Sequence, residues 1–126
     1  MSSSVRPTAR SVGADWEEAA LAHLQHNGLA LVARNFHCRF GEIDLILRDR
    51  DQLVFVEVRY RGDAARGGGT LSVGAAKRGR LIRAAQIWLQ AHAQLATLAC
   101  RFDVIGCSGS LTRPGFDWIR AAFDAY

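Results

Sequence analysis

The chain has 126 residues, enough for one domain with a buried core. Hydrophobic residues make up 49% and charged residues 22%, an ordinary globular composition, and no apolar run approaches the ~20 residues of a membrane span. A net charge of +4 admits a polyanionic partner without specifying one.

Residues 1–12 contain Ser, Arg and Pro but no apolar stretch of the secretory type, so they read as a disordered tail before a single domain over 13–126. Asp15 is a cap and Gly28 a stop for a helix over 15–27. Trp16, Ala20, Leu21 and Leu24 form one stripe on it. Glu17 falls inside that stripe and Glu18 points away. An acid there either interacts with the helix dipole in the first turn or reaches toward an acidic site elsewhere.

Residues 29–37 read as a strand. Residues 41–48 and 53–61 form a hairpin around the polar turn Asp49-Arg50-Asp51-Gln52, and the three strands make a meander. With the turn centred between Arg50 and Asp51, Asp44 stands opposite Glu57 and Glu42 opposite Arg59. Alternation puts Ile43, Leu45, Leu47, Val54, Val56, Val58 and Tyr60 on a core face. The other face carries Glu42, Asp44, Ile46, Leu53, Phe55, Glu57 and Arg59. Opposed Cβ atoms lie roughly 4.5–5.5 Å apart, so Asp44 and Glu57 repel unless they share a cation. The simpler reading has both acids facing solvent, with Arg59 pairing Glu42.

Residues 61–74, rich in glycine, read as a mobile loop; no Gly-Lys-Ser/Thr follows, so it is not a P-loop. A long helix covers 75–92, with Leu81, Ile82, Ala85, Trp88 and Leu89 toward the sheet and Arg80, Arg83 and Ile87 away. Residues 101–107 form a strand reached through this crossover helix, hence parallel to the hairpin strand. Asp103 on it pairs a basic residue such as Arg101. Residues 108–115 form a loop, and Phe116, Trp118 and Ile119 lead into a short final helix. Cys38, Cys100 and Cys107 have no disulfide or zinc spacing and read as reduced core thiols, placing the protein in the cytoplasm.

Seven basic residues lie between Val58 and Arg83, opposed only by Asp63. Arg61, Arg66, Lys77, Arg78 and Arg80 are the candidates for holding a phosphate backbone, and a solvated basic surface is the plainer alternative.

An acid in one strand followed by Glu-x-basic in the next resembles the PD-(D/E)XK nuclease superfamily. Trp16-Glu17, Arg34-Asn35, Gly41-Glu42-Ile43-Asp44-Leu45-Ile46, Phe55-Val56-Glu57-Val58-Arg59-Tyr60-Arg61, Lys77 and Arg101-Phe102-Asp103-Val104 together resemble the uncharacterised bacterial YraN family. The resemblance implies an α/β, restriction-endonuclease-like fold with a mixed central sheet flanked by helices, akin to Holliday-junction resolvases. It implies Asp44, Glu57 and the Val58 carbonyl as ligands of Mg²⁺ or Mn²⁺, with Glu17 as a supporting acid. It further implies DNA as partner and a homodimer that pairs two sites. Arg59 stands where the superfamily has lysine. Arginine stays protonated, so Arg59 holds phosphate or developing charge and leaves water activation to the metal. The expected activity is metal-dependent phosphodiester hydrolysis. The competing expectations are a non-catalytic nucleic-acid-binding module and a hydrolase of small phosphorylated molecules.

Overall fold

The computed structural model describes residues 9–61 and 71–124, with the side chains of 9–11 left aside. Arg66 and most of the glycine-rich loop lie outside the described residues. Helix α1 runs Ala9–His26, followed by β1 Ala30–Cys38, β2 Gly41–Asp49 and β3 Gln52–Tyr60. Helix α2 (Ala75–Gln90) then leads to β4 Ala99–Ser110 and β5 Arg113–Phe123. One five-stranded sheet has the order β1-β2-β3-β4-β5. All neighbouring pairs are antiparallel except β3 and β4, which run parallel across the α2 crossover as expected.

The apolar stripe of α1 covers one face. Trp16, Ala20, Leu21 and Leu24 pack on Leu45, Leu47, Val54, Val56, Ile105 and Cys107. Leu81, Ala84, Ala85 and Trp88 of α2 cover the other face, on Ile46, Leu53, Phe55, Phe102 and Val104. Each helix therefore buries one stripe, and the central strands β3 and β4 supply side chains to both cores. Trp88 is a core residue, edge-on to Phe55 with ring centroids 6.2 Å apart.

Helix α1 starts at Ala9, so Asp15 lies within it and is not its cap. Its end is where the glycine places it: Gly28 has φ +96°, its N–H donates to the Gln25 carbonyl, and the Leu29 N–H donates to that of Leu24. A Cβ meets nothing at Gly28, so the cost of a side chain there is conformational. Gly28→Ala is expected to lower stability by about 1 kcal/mol, read by urea denaturation.

The final helix is not formed. Residues 113–123 make β5, antiparallel to β4, with Ile105 opposite Trp118 and Cys107 opposite Phe116. Phe116 and Trp118, two apart, both pack on the α1-side core, as strand alternation requires. Asp103 holds this strand in place. Its carboxylate, fully buried, accepts from Arg101 Nε at 3.1 and 3.3 Å, Trp118 Nε1 at 2.9 Å and the Ala121 N–H at 2.9 Å. The predicted Arg101 partnership is therefore present. The Arg101 guanidinium reaches on to Asp49 at 2.9 Å and Gln52 at 2.6 Å, tying the β2–β3 turn to β4. The three thiols are free, but only Cys107 is a core residue; Cys38 is half-buried and Cys100 exposed. Among the described residues no helix is long and apolar enough to cross a membrane.

Candidate functional site

The β2–β3 turn sets the hairpin register as predicted: Asp49 pairs Gln52, Leu47 pairs Val54 and Leu45 pairs Val56. The ladder stops there. Continued, it would pair Asp44 with Glu57, as expected, and then Ile43 with Val58, but neither pair forms. Instead the Val58 N–H donates to Asp44 Oδ2 at 2.8 Å, so a side-chain carboxylate takes a bond that a strand carbonyl would otherwise accept. On the other side of β2, Asn35 has φ +55° and lies between the pairs Arg34–Leu45 and Phe36–Ile43. Meanwhile β3 stays paired with β4 as far as Tyr60–Cys107. β2 thus leaves β3 at Asp44.

This departure corrects the expected faces. Ile43 packs in the α2-side core with Ile46 and Phe55, not beside Leu45. Asp44 lines a polar cavity of about 260 Å³ together with Trp16 and Glu17 of α1, Glu42, Glu57, Val58, Tyr60 and Lys77. The parted strands form the floor, and both helices reach the opening. Trp16 and Tyr60 stack at 4.8 Å along one wall.

Asp44 and Glu57 are buried, at 9% and 8% exposure, so neither is the solvent-facing acid of the plainer reading. Burial pushes the Asp44 carboxyl up to about 7, and the charges of Glu57, Glu17 and Glu42 push the same way against the Val58 N–H. Glu17 is also raised, first by burial and then by the charges of Glu42 and Glu57, against the lowering effect of Arg34 and His37. Glu18 turns away and pairs Arg34 at 2.8 Å. Glu57 is compensated: Lys77 Nζ of α2 makes an ion pair with Oε2, and Arg59 Nε lies 3.5 Å from the same oxygen. Arg59 also donates from Nη1 to the Ser72 carbonyl at 3.0 Å. It does not pair Glu42, whose partner is His37 at 3.1 Å.

Of the other expected phosphate-binding residues, Arg78 and Arg80 are exposed on α2, with Arg80 lining a second cavity beside Glu57. Arg61 is carried elsewhere, ion-paired to Asp117 of β5 and packed at Gly106.

The residue whose place was missed is Lys77. It is the only lysine in the chain, and it sits on the acid that precedes the arginine. Its uniqueness was visible in the sequence, but contact with Glu57 depends on how the crossover helix returns over the sheet. The Trp16–Tyr60 wall was legible only as two core-side aromatics on separate elements.

Hard oxygen donors such as Asp44 and Glu57 suit Mg²⁺ or Mn²⁺. Among the described residues no three His, Cys, Asp or Glu side chains converge as a metal cage. Two carboxylates alone would leave most of the coordination sphere of such a cation to water. The Val58 carbonyl leaves its strand on the same side as the N–H that Asp44 receives, toward the gap left by β2.

The raised Asp44 pKa sets a pH dependence. In the folded chain Asp44 keeps its proton to about pH 7, against an ordinary value of 3.8. Between those values the unfolded chain has released that proton and the folded chain has not, so rising pH favours unfolding. The stabilising contribution is complete below about pH 4 and lost above about pH 7. At about 1.36 kcal/mol per unit it amounts to a few kcal/mol. In EDTA, urea unfolding at pH 5 and 8 should show wild type losing more stability than Asp44→Asn. Equal losses would remove Asp44 as the titrating group.

Fold and site together define an α/β protein with a five-stranded mixed sheet and a buried acidic pair where two strands part. The chain belongs to the uncharacterised protein family UPF0102, whose profile matches residues 16–107, from Trp16 of the cavity to Cys107 of β4. It is 54% identical over 118 residues to a UPF0102 protein of Xanthomonas campestris pv. campestris (strain B100), covering 93% of this chain and 95% of that one. A UPF0102 protein of Stutzerimonas stutzeri (strain A1501) is 46% identical over 117 residues, covering 93% and 98%. One of Pseudomonas aeruginosa (strain LESB58) is 47% identical over 122 residues, covering 95% and 98%.

Proposed function

We propose that this chain is a metal-dependent, nuclease-like phosphodiester hydrolase acting on DNA, with a restriction-endonuclease-like fold of the PD-(D/E)XK type. The observation that carries this reading is the burial of Asp44 and Glu57 together in a polar cavity at the point where β2 leaves β3. Burying two acids around one cavity is costly without positive charge beside them. A bound Mg²⁺ or Mn²⁺ supplies that charge, polarises phosphoryl oxygens and lowers the pKa of water.

The chain's own residues divide the remaining work. Asp44 and Glu57 hold the cation, with the Val58 carbonyl as a further donor. Glu17 adds negative charge on the α1 side. Arg59, fixed by the Ser72 carbonyl, orients the scissile phosphate. Lys77 provides the amine that Arg59 lacks. Unlike a guanidinium, an amine can give and take a proton, and Lys77 is already at Glu57.

One observation favours the second reading, a nucleic-acid-binding module that does not cut. Lys77 and Arg59 together already compensate Glu57. Incubation of supercoiled, single-stranded and branched DNA with Mg²⁺ or Mn²⁺ separates the two. Hydrolysis is expected to require the metal and stop with EDTA. Salt-sensitive binding with no cleavage of any substrate would establish the binding module instead.

A further inference from the structure

Basic side chains extend beyond the acidic cavity in an ordered row. Lys77, Arg80 and Arg83 are spaced i, i+3, i+6 on α2, so they follow one ridge of the helix. Lys77 reaches Glu57. Arg80 packs beside the β1–β2 turn, where a Cβ on Gly41 would lie 4.0 Å from the Arg80 Cβ. Arg83 reaches the next residue of that turn, its guanidinium 5.4 Å from the centroid of Phe40. The Arg39 guanidinium lies 4.8 Å from the same ring. A cavity of about 230 Å³, lined by Gly41, Glu42, Glu57, Lys77, Arg80 and Leu81, joins the start of this row to Glu57.

The row differs from a solvated helix face in one respect. Like Arg78 of α2, Arg39, Arg80 and Arg83 have no carboxylate partner among the described residues, but two of them share a ring. Glu42, which lines the same cavity as Arg80, is held by His37. Arg39 and Arg83 converge on one phenyl ring. The ring attracts each cation, but the two repel each other, and an anion between them removes that repulsion.

We infer that Arg80, Arg83 and Arg39, steadied by Phe40, are a phosphate rail that carries a DNA strand from the acidic cavity along α2 to the β1–β2 turn. This rests on the nuclease-like reading above and gives its substrate a direction across the surface. The rail binds phosphates and leaves base identity unread, so it predicts affinity that depends on salt and little on sequence.

The test is fluorescence anisotropy of labelled 20-nucleotide single-stranded and duplex DNA in EDTA, between 50 and 200 mM KCl. Wild type is compared with Arg39→Gln/Arg83→Gln and with Arg48→Gln/Arg50→Gln, which removes the same charge at the β2–β3 turn. Each lost phosphate contact lowers the slope of log affinity against log salt by about 0.7–0.9. The Arg39/Arg83 variant is expected to lower it by about 1.4–1.8, and the turn variant to leave it unchanged. Phe40→Leu, with every charge kept, is expected to weaken binding. An equal slope change in both double variants would reduce the effect to net charge and overturn the rail. An unchanged slope in the Arg39/Arg83 variant would also overturn it, while metal-dependent cleavage by that variant would leave the nuclease reading standing. Absence of any binding by wild type would remove both.

Discussion

Asp44→Ala and Glu57→Ala are each expected to abolish metal-dependent DNA cleavage while the chain remains folded. A catalytic cation contributes several kcal/mol to stabilising the transition state, and about 4 kcal/mol corresponds to roughly 10³-fold in rate. Removing either carboxylate takes away half of the paired acids, so both variants should lose at least that much. Folding should survive for different reasons. The Asp44 carboxyl is raised mainly by burial, so without metal it is an unfavourable charge above pH 7 and its loss leaves only the Val58 N–H to be satisfied. Loss of Glu57 releases Lys77 and Arg59, which retain 43% and 26% side-chain exposure and can turn to water. Far-UV circular dichroism should match wild type in both. Cleavage at more than a tenth of the wild-type rate by either folded variant would reject the acidic pair as the catalytic centre.

The largest loss of stability is expected at Asp103, away from that centre. Asp103→Ala removes the acceptor of two Arg101 contacts, of Trp118 Nε1 and of the Ala121 N–H in one step. Asp49 still faces Arg101, but the Arg101 side chain is only 11% exposed and gains little hydration in exchange. Breaking a buried charged pair from one side costs about 3–5 kcal/mol. Urea denaturation should show that loss, and β5, fastened to β4 through Trp118 and Ala121, should lose amide-exchange protection first. A change below about 1 kcal/mol would mean that Asp103 does not anchor the edge strand.

The parts of this architecture that were legible in the sequence are those with local causes. The polar turn at 49–52 determined the hairpin register, and the crossover helix required a parallel β4. Arg101 lies two residues from Asp103 on one strand face, so that pair could be read from spacing alone. The strand β5 was hidden because Phe116, Ile119 and Phe123 fit helical spacing while Phe116 and Trp118 fit strand spacing. As a sheet edge it has no uniform run of buried residues to decide between them. Its burial depends on Asp103, distant in sequence. The displacement of Ile43 was hidden for a related reason. Simple alternation holds only while the ladder continues, and the ladder ends because the Asp44 carboxylate takes the Val58 N–H. The acidic pair itself was legible as charge in a run built for burial. Lys77 was legible only as a basic residue, because its contact with Glu57 is made by the return of α2 over the sheet.

The central claim is that Asp44 and Glu57 hold a divalent cation, and calorimetric titration of Mn²⁺ into the DNA-free protein at pH 8 tests it most directly. Wild type should bind saturably, and Asp44→Asn, which keeps the side-chain shape but removes the charge, should not. Equal binding by both proteins, or none by wild type, would contradict it.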